Sequence, residues 1–234
     1  MSFVQIFVED ELNEAYEILA ARSLGVDYQR RNQRRRYVQA ARLDITEFTS
    51  LTNLLDLVTR ANRAGSQCVL FIMDEEDYNE SPDRSDKLVA FQEAFQQVCA
   101  HLANLPDNDI LKRVRVTGMI CKTCLECWLL AHPQAIVTAV NGPGSYTPSA
   151  RDTVAHNPRQ AREQIAHIVR EAGKRTKNQK LVRITGHSVK SLGTKVAAFV
   201  EPQEARQRNF SLAYFYDMIT CEQSGCERPF PIRA

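Results

Sequence analysis

Long hydrophobic runs are missing from this chain. Apolar stretches such as Val69–Met73 fall far short of the roughly 20 residues that a bilayer span needs, so no membrane-spanning helix is expected. Glycine and proline are sparse, nine each in 234 residues, which excludes a collagen-like or low-complexity chain. The opening residues, Met1–Gln5, show no basic region followed by an apolar stretch, so no signal peptide is expected. Seven cysteines are an odd number without a secretory context, and reduced thiols in a cytoplasmic protein are the expectation. His101, His132, His156, His167 and His187 are scattered without metal-ligand spacing, and a Ser-His-Asp mechanism has no support. The Gly-rich stretch Asn141-Gly142-Pro143-Gly144 lacks the Lys-Ser/Thr of a phosphate loop, which argues against ATP hydrolysis by this chain.

What is present is ordinary in amount and uneven in distribution. At 44% hydrophobic and 25% charged the chain is globular rather than disordered. Its length fits one large domain, or one domain with a helical extension. Net charge is only +2, yet residues 22–42 carry seven Arg against one acid, and residues 74–86 carry seven acids against one Arg. A basic block suits a phosphate backbone, and an acidic block at a strand end suits a divalent cation. Two solvated loops of opposite sign are the bland alternative.

Three apolar runs read as buried strands: Val4–Val8, Cys68–Met73 and, more weakly, Val114–Ile120. Runs without alternation indicate parallel strands covered on both faces. Helical spacing separates them over Asn13–Leu24, Glu47–Ala64 and Ser85–Leu105, with Gly25 and Gly65 at C-cap positions. Leu125–Val140 is apolar and helical but breaks near His132, before Pro133. Residues 141–150 form a linker, after which Pro158–Ala172, Ser191–Val200 and Ser211–Ile219 read as helices. The expected architecture is α/β, a mainly parallel Rossmann-like sheet flanked by helices over residues 1–140, with a helical part over 141–234 packed on it.

Glu9 follows the first strand, and Asp74 and Glu76 follow the second. Strand carboxyl ends line the ligand crevice of an open parallel sheet, and residues i and i+2 of a strand project alike. If the two strands are neighbours, these three carboxylates share an edge. At about 4 Å and an effective dielectric of 20, each pair repels by roughly 4 kcal/mol. The cluster is then hydrated, protonated or holding a cation, and oxygen ligands favour Mg²⁺ or Mn²⁺. The alternative is an acid-rich loop with its side chains in water.

Phe7-Val8-Glu9-Asp10-Glu11-Leu12-Asn13-Glu14-Ala15, followed by the apolar run into Asp74-Glu75-Glu76, resembles the TOPRIM-like catalytic domains. Leu125-Glu126-Cys127-Trp128-Leu129-Leu130-Ala131 is similar to the Glu-x-Trp-Leu-Leu-Ala signature of a bacterial TOPRIM-like family associated with phage defence and often encoded beside an ATPase. Phe199-Val200, Ala205-Arg206 and Asn209–Ala213 are similar to that family's ending. The resemblance implies a Mg²⁺-dependent nuclease, cutting DNA or RNA as a defence effector with an ATPase as a possible partner. It implies that Glu9 acts as general acid/base or ligand, and that Asp74 and Glu76 hold Mg²⁺, with Asp77 in reserve. Asp10 stands where many such proteins have Gly, and Glu76 is one methylene longer than the usual Asp. These departures leave open a non-catalytic regulatory subunit with a TOPRIM-like shell.

Glu126 opens a helix after the third strand. It either aims into the same crevice, to bind a second ion, or is a first-turn acid favoured by the helix dipole. Trp128 reads as core. Arg30, Arg31, Arg34, Arg35 and Arg36, on a loop flanked by Tyr28 and Tyr37, are candidate contacts to a nucleic-acid backbone, as are Lys190 and Lys195. Cys121, Cys124 and Cys127 have metal-ligand spacing, and Cys221 and Cys226 could add zinc or iron–sulfur ligands. Against this, no knuckle Gly or Pro separates the three, and free Cys packs readily as a small apolar residue.

Overall fold

The structure, a computed structural model, describes residues 3–75, 82–122, 124–141, 146–149, 155 and 157–220. Phe3–Val8 (β1), Val38–Arg42 (β2), Ser66–Asp74 (β3) and Arg115–Cys121 (β4) form one parallel sheet in the order β2-β1-β3-β4. The fold is thus α/β with a parallel sheet, as the apolar runs predict. β3 shows why those runs do not alternate. Cys68, Leu70 and Ile72 enter the core on one face, while Val69, Phe71 and Met73 enter the core on the other. A strand buried on both faces has no position left for a polar residue.

β2 is not among the strands expected from the apolar runs. Its five residues, Val-Gln-Ala-Ala-Arg, include no aromatic and only one β-branched residue, so propensity and periodicity are both weak. Partner strands make it: Val4 through Val8 pair in register with Val38 through Arg42.

Asn13–Ser23 (α1) connects β1 to β2 and ends as predicted at Gly25, whose φ of 66° is left-handed. Gly25 N–H donates to Arg22 O and Val26 N–H to Ala21 O, the paired bonds of a Schellman cap. The arginine-rich segment is not a loop but a short helix, Arg31–Arg34 (α2). Past β2, the helix expected over Glu47–Ala64 is two, Ile45–Phe48 (α3) and Leu51–Arg63 (α4). The break falls at Ser50, whose hydroxyl caps α4 by accepting from Asn53 N–H. Pro82–Ala103 (α5) joins α3 and α4 on one sheet face, around Phe48, Phe71, Phe91 and Phe95. Each such ring contributes about 1.5–3 kcal/mol through burial.

The other face carries Leu125–Leu130 (α6), Pro133–Asn141 (α7) and Pro158–Arg175 (α8), with the predicted break falling between α6 and α7. The chain then runs through Gln179–Val182 (α9), Gly186–Val189 (α10), Gly193–Ala197 (α11), Pro202–Arg206 (α12) and Phe210–Thr220 (α13). The helix expected over Ser191–Val200 is instead a 3-10 turn, Lys190–Leu192, leading into α11. Ile165, Val169, Val196, Leu212 and Phe215 share one core with Ile6 and Leu70. Helices beyond residue 140 are therefore part of the packing of the sheet face itself. Their cover also explains α1, which is buried at every residue from Ala15 to Ala21 rather than along one stripe. No described helix is long and apolar enough to cross a membrane.

Candidate functional site

The connection from β1 to β2 leaves by one sheet face, through α1, and that from β2 to β3 returns by the other, through α3 and α4. β1 and β3 are adjacent, so the strand order reverses between them. Open parallel sheets bind ligands at the carboxyl ends of such a strand pair. Glu9 immediately follows β1, and Asp74 ends β3. Val8 pairs with Ile72, and Glu9 N–H donates to Ile72 O at 3.3 Å, so the ladder reaches Glu9. With strands about 4.8 Å apart and a rise of about 3.3 Å per residue, the Cα atoms of Glu9 and Asp74 lie about 6 Å apart.

Both residues line one polar cleft of about 420 Å³. Its sheet-edge wall also carries Asp10, Glu11, Arg42 and Asp44, and Glu126 enters from the first turn of α6. Asn157, Pro158, Arg159 and Arg162, from the start of α8, face this edge together with Lys190. The lining thus holds six carboxylates and four cations, an excess of two negative charges.

Asp74 is buried at the sheet edge. Tyr16, buried in α1, donates its hydroxyl to Asp74 Oδ1 at 3.2 Å, and the Cys121 thiol hydrogen-bonds to Asp74 from β4. Burial, then the charge of Asp74, pushes the pKa of Tyr16 well above its ordinary value, and the same two causes raise Cys121. Both groups therefore stay protonated and remain donors. Asp10 Oδ1 accepts from Leu12 N–H at 2.8 Å, which ties the acidic segment to the start of α1. The carboxylate of Glu126 is buried, with the Arg162 guanidinium 4.0 Å away. Glu75 points elsewhere, toward Lys122 at 3.5 Å.

Of the acids singled out from sequence, Glu9, Asp74 and Glu126 line the cleft, whereas Glu76 and Asp77 lie outside the described residues. Among the described residues no three His, Cys, Asp or Glu side chains are grouped closely enough to hold an ion. Of the basic residues, Lys190 lines the cleft and Lys195, exposed on α11, does not. Arg30, Arg31, Arg35 and Arg36 precede β2 and so sit at the amino end of the parallel sheet, the end opposite the cleft. Arg34 is a correction. Its guanidinium is buried, donating to Glu17 at 3.1 Å, Glu14 at 2.7 Å and Tyr28 O at 2.7 Å, so its charge is consumed inside the fold and is not offered to phosphate.

Three of the cleft cations escape the sequence reading. Arg42 belongs to the arginine-rich stretch, but its position follows only once β2 is recognised as a strand. Arg159 and Arg162 look like the polar face of an amphipathic helix, and their i, i+3 spacing at the start of that helix is the one available signal.

Trp128 is core, as read: it is fully buried against Tyr16 and Phe215, and its indole N–H donates to Ser211 Oγ at 2.7 Å. Cys68, Cys121, Cys124 and Cys127 are free thiols. Cys124 borders the cleft and donates to the Cys127 sulfur at 3.7 Å, the principal cause of its raised pKa. Cys99 is disulfide-bonded, a departure from the fully reduced set that was expected; Cys221 and Cys226 lie outside the described residues. No protein-family model, no curated protein and no solved structure matches this chain.

Proposed function

We propose that the cleft binds the phosphodiester backbone of a nucleic acid and that the chain is a Mg²⁺-dependent nuclease of TOPRIM-like architecture, with Mn²⁺ able to replace Mg²⁺. The observation that carries this reading is the cleft itself, in which an acidic sheet edge faces a basic helix start. The donor set fits the metal by its chemistry. Glu9, Asp74 and Glu126 offer only carboxylate oxygens, which Mg²⁺ and Mn²⁺ prefer; they line one cleft without being grouped as ligands, so an ion would have to draw them together. Once bound, the ion would polarise the phosphate and stabilise charge on the leaving oxygen.

The chain's own residues do the rest. Arg42, Arg159, Arg162 and Lys190 bind and orient the phosphate. Of the two roles that the resemblance leaves Glu9, acid/base or ligand, the first would have one of its carboxylate oxygens take the proton of the attacking water. Tyr16 O–H holds Asp74 in a fixed orientation. The same resemblance implies an effector of a defence system, with an ATPase as a possible partner.

The test is cleavage of single-stranded DNA and RNA oligonucleotides by the wild type, Glu9→Gln and Asp74→Asn, with circular dichroism as the fold control. Each substitution should lower the rate by about 10²–10⁴-fold with the spectrum unchanged. Full activity in both variants overturns the assignment. A wild-type chain that binds nucleic acid but shows no Mg²⁺-dependent turnover is instead the non-catalytic regulatory subunit.

A further inference from the structure

Lys190 and Arg162 each stand against acids of the cleft. Lys190 Nζ stands 3.4 Å from Glu11 Oε2 and 3.9 Å from Asp10 Oδ1. Arg162 Nη1 stands 4.0 Å from Glu126 Oε1. Lys190 thus meets acids that follow β1, and Arg162 on α8 meets Glu126 on α6, all of them cleft-lining residues. In each pair the cation is partly exposed, with water as a second partner, while Asp10 and Glu126 are buried and need a positive partner of some kind. The pairs set the local charge: while the ammonium and guanidinium sit there, the acidic wall is partly neutralised and the basic wall partly occupied.

We propose that Lys190 and Arg162 are exchangeable counter-ions. In the free protein Arg162 stands against Glu126, one of the three acids assigned to the ion, and Lys190 stands against Asp10 and Glu11, the two residues after Glu9. When a divalent cation takes over the carboxylate wall, they turn to the phosphate of the substrate. This rests on the cleft being the metal and phosphate site proposed above. Its consequence goes further, because each ligand removes the competitor of the other. Divalent cation and phosphodiester then bind with positive coupling, and the coupling is reciprocal by thermodynamic necessity. Charge balance supports the exchange. Two positive side chains leave the acids as one doubly charged ion arrives, and the same two side chains meet the charge of the backbone.

The experiment measures Mn²⁺ binding to the full chain by electron paramagnetic resonance of the free ion, with and without a phosphorothioate oligothymidylate, after subtraction of a protein-free control. Wild-type protein should bind Mn²⁺ about five- to tenfold more tightly with the oligonucleotide present, at the low end of ordinary coupling. The Lys190→Met/Arg162→Met variant should bind Mn²⁺ alone more tightly than wild type by a similar factor, and should no longer respond to the oligonucleotide. The single variant Lys190→Gln, at a half-exposed side chain, should show part of both effects should the double variant fail to fold. Lys190→Arg should retain the coupling. Mn²⁺ binding that is equal in wild type and charge-removed variants, or weaker in the variants, overturns the exchange. If Asp74→Asn still weakens Mn²⁺ binding in that case, the site reading stands without it. If Asp74→Asn changes nothing either, both fall together.

Discussion

Arg34 and Arg162 both face glutamates, and the two sites use the same pairing for opposite ends. The Arg34 side chain is 3% exposed and donates at 2.7–3.1 Å to Glu14, Glu17 and a backbone carbonyl. Glu17, also buried, accepts in addition from Ala40 N–H at 3.1 Å and so staples α1 to the edge strand β2. Arg162 is 38% exposed and stands 4.0 Å from its glutamate. A charge taken out of water has to be paired on every side, because an unpaired one costs several kcal/mol. A charge left at a cleft wall keeps water as an alternative partner, so its protein partner can be exchanged. Burial, not residue type, separates the structural arginine from the one available to a ligand.

Breaking the first pairing should have the largest effect. Arg34→Met leaves Glu17 buried without its main partner and should lower the unfolding free energy by about 3–5 kcal/mol, read by urea denaturation. A loss below about 1 kcal/mol would mean that Arg35, already 3.5 Å from Glu17, takes over the pairing. Next comes the cleft. Arg42→Gln with Arg159→Gln should weaken binding of a single-stranded oligonucleotide and flatten the log–log salt dependence by about 0.7 for each phosphate no longer neutralised, while stability stays within about 0.5 kcal/mol. The smallest effect belongs to the amino end of the sheet. Arg30→Gln, Arg31→Gln and Arg36→Gln together should leave the salt slope unchanged. A slope that falls with these three, and not with Arg42 and Arg159, would move the phosphate-binding surface to the opposite edge and sink the comparison.

Much of the sheet is legible along the chain. β3 announces itself because it is buried on both faces, and β1 because Val4–Val8 is almost wholly apolar. Glu9 and Asp74 are found for the same reason, as the first acids past those runs. β2 is illegible because an edge strand of five residues is held by its neighbour rather than by its own side chains. The break at Ser50 is missed because the apolar spacing continues through it. The arginine block misleads because charge density along a chain carries no information about which side chain is buried. Arg34 differs from its neighbours in burial: its side chain is enclosed against Glu14 and Glu17 on α1, whereas Arg35 reaches Glu17 from a side chain that stays partly exposed.

By itself the sequence determined the period and extent of the buried runs, the glycine stops at residues 25 and 65, and the acids that end β1 and β3. These are local properties, set by backbone sterics and by the alternation of side chains. Only the tertiary structure decided that β1 and β3 are neighbours, that α8 brings Arg159 and Arg162 across from them, and that Arg34 turns inward. Those outcomes depend on interactions between residues far apart in the chain, where packing of apolar faces chooses which charges meet and which are left to water.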